Sequence, residues 1–77
     1  MIKEFDYAVL RVDVPEYGLF AGDRGVVVDI LAGGEAYILE FITALGETFA
    51  VVTLEASQIR PQSERDVVQV REMTESA

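Results

Sequence analysis

The sequence contains no cysteine, no histidine and no tryptophan in its 77 residues. Without cysteine there is no disulfide staple and no thiolate metal site, which excludes a disulfide-built secreted scaffold. Without histidine, the commonest general base and the commonest zinc ligand are both missing. Lysine occurs only at Lys3. The hydroxyls of Thr43, Thr48, Thr53, Ser57 and Ser63 therefore lack the usual activating bases, and nucleophilic catalysis is not expected. Without tryptophan, the aromatic groove that reads proline-rich peptides loses a usual member. Tyr7, Tyr17 and Tyr37 do not cluster in sequence to replace it. No apolar run is long enough to cross a bilayer. The start, Met-Ile-Lys-Glu-Phe-Asp, has no basic region leading into an apolar stretch, so no signal peptide is expected. The expectation is a cytoplasmic protein with no membrane partner.

Positive charge is also scarce. Six basic residues stand against 14 acidic ones, for a formal net charge of -8. Such a surface repels phosphate backbones and favours a basic partner. Arg11, Arg24, Arg60, Arg65 and Arg71 are dispersed, with no aromatic-basic platform, so nucleic acid is not an expected partner. Hydrophobic residues make up 51%, which is ample for a packed core. A chain of this length forms one small domain of modest stability.

β-branched density and turn residues predict the elements. Residues 7–12, Tyr-Ala-Val-Leu-Arg-Val, read as a first strand. A long loop over residues 13–23 follows, broken by Pro15, Gly18 and Gly22. Residues 25–31, Gly-Val-Val-Val-Asp-Ile-Leu, are the clearest strand. Plain alternation sets Val26, Val28 and Ile30 on one face, and Val27 and Asp29 on the other. Gly33 and Gly34 mark a tight turn. In the strand over residues 35–42, Tyr37, Leu39 and Phe41 share an uncharged face, expected to be core. A turn at Gly46 leads to a strand over residues 48–54, whose two faces, Phe49/Val51/Thr53 and Ala50/Val52/Leu54, are both largely apolar. One of them needs a cover, either the C-terminal segment or a second subunit, so a homodimer is possible. Residues 55–58 suit one helical turn, and residues 59–61 a closing strand that Pro61 limits to an edge or an end. The expected fold is all-β: a small five-stranded SH3-like barrel over residues 1–61, closed on itself to hide its edges. Residues 62–77 form a polar extension, a short helix or an extra strand that frays at its end. An OB-type barrel and an open five-stranded sheet are the alternatives.

The run Gly22-Asp23-Arg24-Gly25-Val26-Val27-Val28-Asp29-Ile30 resembles the glycine turn of SH3-like and KOW-type domains. There the first glycine allows the turn, the second a close backbone approach, and the valines enter the core. The wider pattern resembles one family, the small bacterial domain of unknown function numbered four-nine-two-six. It consists of residues 6–10, the Val-Pro-Glu-Tyr-Gly-Leu loop, the Tyr-Ile-Leu-Glu-Phe strand and the closing segment at residues 50–61. The resemblance covers about Phe5 to Pro61. It implies an SH3-like fold and a bacterial origin, and no activity.

The candidate sites are modest. Glu40 and Asp29 read as outward residues of alternating strands, and no carboxylate pair has a catalytic context. Asp23, with only scattered Asp13 and Glu16 nearby, reads as a turn residue bonding its own backbone rather than a calcium ligand. The glycines do not form a phosphate loop, since Gly-x-x-x-x-Gly-Lys is absent. No catalytic residue, cofactor or metal site is expected. The long loop holds Tyr17, Leu19 and Phe20 close together, either to plug one end of the barrel or to form an exposed patch. Plugging is the favoured outcome. If a patch exists, Glu16, Tyr17 and Phe20 are its members, with Arg60 as a neighbour. The function expected is a non-catalytic module that docks on a protein with a basic or apolar surface. The alternatives are an antitoxin or immunity-like inhibitor of a basic partner, and a ligand-binding regulatory subunit of an enzyme.

Overall fold

The computed structural model describes residues 2–63. The expected C-terminal extension, beyond its first two residues, lies outside them. Five antiparallel strands form one sheet in the order β4-β3-β2-β1-β5. They are β1 (Tyr7–Leu10), β2 (Arg24–Leu31), β3 (Ala36–Ile42), β4 (Thr48–Glu55) and β5 (Ile59–Pro61). Short 3₁₀ turns sit in the long loop at Pro15–Tyr17 and before β5 at Ala56–Gln58. The fold is all-β and SH3-like. The sheet curls round its core without closing: β4 and β5 are joined through the second 3₁₀ turn, but among the described residues they do not pair. The expectation of hidden edges holds only in part.

The core lies on one face of the curl. Tyr37, Leu39 and Phe41 of β3 all point into it, as the uncharged face predicts. Ala8 and Leu10 of β1, Val27 of β2, Val52 and Leu54 of β4, and Ile59 of β5 complete it from the sheet. Val14 and Leu19 enter from the long loop.

The faces of two strands differ from plain alternation, and bulges are the cause. Val26 pairs with Glu40 and Val27 with Leu39, but Asp29 then pairs with Ile38, which leaves Val28 as an extra residue. An extra residue reverses the side-chain alternation beyond it. Ile30 therefore lies on the side of Val27, against the core, and Asp29 on the side of Val26. Only Val27 of the three valines is fully buried. A second shift lies between Phe41 and Ile42, where Phe41 opposes Ala50 and Ile42 opposes Thr48. Phe49 is the extra residue there. It leaves the exposed side of Val51 and Thr53 and packs against the core.

The glycine motif performs both expected tasks. Gly22 has φ 96, a left-handed conformation that glycine adopts without strain. Gly25 lies under the ring of Phe41. A Cβ placed on it would stand 3.0 Å from Cε2 of that ring and 3.1 Å from Cδ2 and Cζ. Phe41 has no exposure at all, so the ring has nowhere to retreat.

Overpacking of this kind costs about 1–3 kcal/mol. Gly25→Ala is expected to destabilise the domain by that amount in urea denaturation. Phe41→Leu should cost less in the Gly25→Ala background than in the wild type, because the two sites are coupled. Additive costs would show that the methyl finds room.

Candidate docking loop

Between β1 and β2 the chain leaves the sheet over residues 11–23, and polar bonds within the loop set its shape. Val14 and Leu19 form a two-residue bridge, with Val14 N–H donating to Leu19 O at 2.8 Å and Leu19 N–H to Val14 O at 3.2 Å. Pro15 starts the short 3₁₀ turn, where its fixed φ suits the first position. Gly18 ends that turn at φ 70, and its N–H donates to Pro15 O at 3.0 Å. Phe49 of β4 lies beneath Gly18, where an added Cβ would meet the ring at 3.4 Å.

Two carboxylates hold the return path. The Asp13 Oδ1 accepts from Ala21 N–H at 2.8 Å, across eight residues of sequence. Asp23 is only 2% exposed, and its Oδ2 accepts from Phe20 N–H at 2.8 Å. Its own N–H donates to Phe20 O at 3.0 Å. Asp23 is thus a turn residue bonding its local backbone, as expected. The backbone on either side is tied to β1, with Leu10 N–H donating to Asp23 O and Gly22 N–H to Leu10 O, both at 2.9 Å. Among the described residues, no buried side-chain polar atom lacks a partner, which is the condition for polar groups to sit at a core margin.

The apolar residues of the loop divide between the two expected roles. Val14 and Leu19 plug the core. Tyr17 and Phe20 remain outside, 49% and 44% exposed. Glu16, beside Tyr17, is exposed as well. The loop therefore carries Glu16, Tyr17 and Phe20 together on a frame set by internal hydrogen bonds. Arg60 lies on β5 opposite Val9 of β1, and its Nη1 donates to Pro61 O at 3.2 Å.

Polar side chains that the sequence does not place together meet on the outer face of the sheet. The Arg24 guanidinium lies 4.1 Å from the centroid of the Tyr7 ring. A cation over an aromatic face is attracted by the ring's quadrupole. The Thr48 hydroxyl donates to Glu40 Oε2 at 2.6 Å. These pairs join residues distant in sequence, so only the strand register reveals them. Among the described residues, no helix is long and apolar enough to cross a membrane.

These features define a class: a small SH3-like domain whose longest loop is hydrogen-bonded into a fixed form with aromatic side chains on its outside. The chain belongs to the family described as "Domain of unknown function (DUF4926)", whose model matches residues 4–61. That span is nearly the one expected from the sequence, and it takes in every strand. No curated protein and no solved structure matches the chain.

Asp23→Ala removes the carboxylate that accepts from the Phe20 N–H at a part-buried site, a loss of about 1 kcal/mol or more. The expected result is a destabilised domain in which the Phe20 amide exchanges hydrogen faster than in the wild type. Asp23→Asn keeps an acceptor oxygen and should cost less. Equal effects from both substitutions would assign the stabilisation to charge instead of to the hydrogen bond.

Proposed function

We propose that this domain is a non-catalytic module that docks on a protein partner through its long loop. The observation that carries this reading is the exposure of Tyr17 and Phe20 on a loop fixed by its own hydrogen bonds. Aromatic side chains supply large contact area at little conformational cost, because few torsions need to be ordered. A loop already held in one form loses less entropy on binding than a mobile one.

The chemistry of the patch suggests the partner. Asp13 and Asp23 spend carboxylate oxygens on backbone N–H groups. Glu16 and Asp13 are the exposed acids of the loop, and no described backbone bond occupies the Glu16 carboxylate. A fitting partner has an apolar pocket for the aromatics and lysine or arginine at the rim. The net charge of -8 would speed the approach of such a surface. It also argues against nucleic acid. An inhibitor of a basic active site is a narrower form of the same reading. The ligand-binding alternative is less favoured, because Leu10, Leu19, Val27, Leu39 and Phe41 fill the interior of the curl. Within this reading the module works in the bacterial cytoplasm. The same reading gives it no catalytic role, in keeping with a sequence that lacks histidine and cysteine.

The test is affinity capture from lysate of the organism that encodes the chain, with the wild type and Tyr17→Ser/Phe20→Ser as paired baits. Both side chains are about half exposed, so the double variant should keep its fold. A recurring basic partner is expected on the wild type. It should be released by salt and recovered at least about tenfold less on the variant, the loss typical of a hot-spot side chain. Equal recovery on both baits would move the docking surface off the loop. No recurring partner would remove the docking reading.

A further inference from the structure

The two edges of the sheet are not equally protected. β5 is a three-residue edge that ends in Pro61. Short edge strands and prolines are standard defences against pairing with another chain. β4 is an eight-residue edge, Thr-Phe-Ala-Val-Val-Thr-Leu-Glu, without lysine or proline. Its first charge is Glu55, at the very end. The bulge at Phe49 guards its other end only.

The hydrogen-bond parity of β4 follows from one contact. Ala56 N–H donates to Glu35 O at 3.0 Å. In an antiparallel ladder, residues that exchange bonds recur at every second pair. Leu54, Val52 and Ala50, opposite Tyr37, Leu39 and Phe41, therefore bond to β3. Val51, Thr53 and Glu55 aim their N–H and C=O groups away from it. Among the described residues, no strand pairs with that side.

We propose that this edge pairs with the β4 edge of a second copy of the chain. Antiparallel pairing about a two-fold axis at Val52 sets Val51 of one copy opposite Thr53 of the other, and Ala50 opposite Leu54. Phe49 then faces Glu55, and no two carboxylates are opposed. About four backbone hydrogen bonds form, from Val51 and Thr53 of each copy. Val51, 54% exposed in the single chain, is covered at the seam. Residues 48–54 carry no charge in a chain of net charge -8, so this is where two copies can approach with least repulsion. A foreign basic partner has no comparable reason to choose the uncharged edge. Contacts this narrow, near or below about 1,000 Å², form weak assemblies. The dimer should therefore grow in across the micromolar to millimolar range.

Salt separates this association from docking through the loop. Two acidic copies repel, and salt shortens that repulsion to a Debye length of about 3 Å at 1 M. Salt should strengthen the dimer, whereas it should release a basic partner.

The experiment is sedimentation of the full chain from about 10 µM to 1 mM, at low and high salt, with amide hydrogen exchange on the same samples. The expected mass rises toward twice the monomer, further at high salt. The Val51 and Thr53 amides should gain protection with concentration, while those of Val52 and Leu54 stay slow throughout. Thr53→Pro removes an outward N–H without touching the bonds to β3, and should hold the chain monomeric. Val51→Lys places a cation at the exposed edge, and should do the same even if the proline variant folds poorly. A monomer mass at every concentration in high salt would overturn the proposal. So would a dimer that survives Val51→Lys, or protected Val51 and Thr53 amides in the dilute monomer, which would mean that the edge is already covered.

Discussion

The close approach of Gly25 and Phe41 holds the rest of this structure in place. The two residues lie one step beyond the Val26–Glu40 pair, on neighbouring strands. The ring of Phe41 covers the backbone of Gly25 where any other residue would insert a side chain. Aromatic residues stabilise a sheet through such cross-strand contacts. In a chain this small the core is limited, so one well-packed ring is a large share of the net stability. Leu19 and Leu39, also fully buried, belong to the same cluster and tie the long loop to the strands.

The loop inherits its form from that core. Val14 and Leu19 are drawn inward by burial, and the bridge between them sets the path of the residues enclosed. Asp23 then works at the core margin, where an unpaired carboxylate would be costly and a hydrogen-bonded one is stable. Its bond to the Phe20 N–H fixes the backbone from which the Phe20 side chain projects. Packing, loop geometry and the exposed aromatics are thus one causal chain. Val14 and Leu19 take the inward places, and Tyr17 and Phe20 face outward.

Much of the fold was legible in the sequence. All five strands, the short helical turn before β5 and the turns at Gly33 and Gly46 follow from residue type and glycine placement, whereas the 3₁₀ turn at Pro15–Tyr17 lies in a segment that reads as plain loop. The core face of β3 followed from its lack of charge. The roles of Gly22 and Gly25 followed from the motif. The faces of β2 and β4 did not. Each contains a bulge, at Val28 and at Phe49, and nothing in the local residues distinguishes a bulge from continued alternation. The candidate site was legible as a segment and not as a surface. Glu16, Tyr17 and Phe20 are legible as neighbours along the chain, but that Leu19 between them turns into the core is not.

The sequence by itself determined the absence of histidine and cysteine chemistry, the sign of the net charge, the all-β composition and the positions where the chain turns. These depend on residue identity and on short-range sterics, which do not need a partner strand. Only the tertiary structure decided which loop side chains are buried, that β4 and β5 remain unpaired with each other, and that Asp23 is enclosed. Those outcomes depend on register and on what the chain brings opposite each residue from far along its length, and a one-residue bulge reverses every face beyond it.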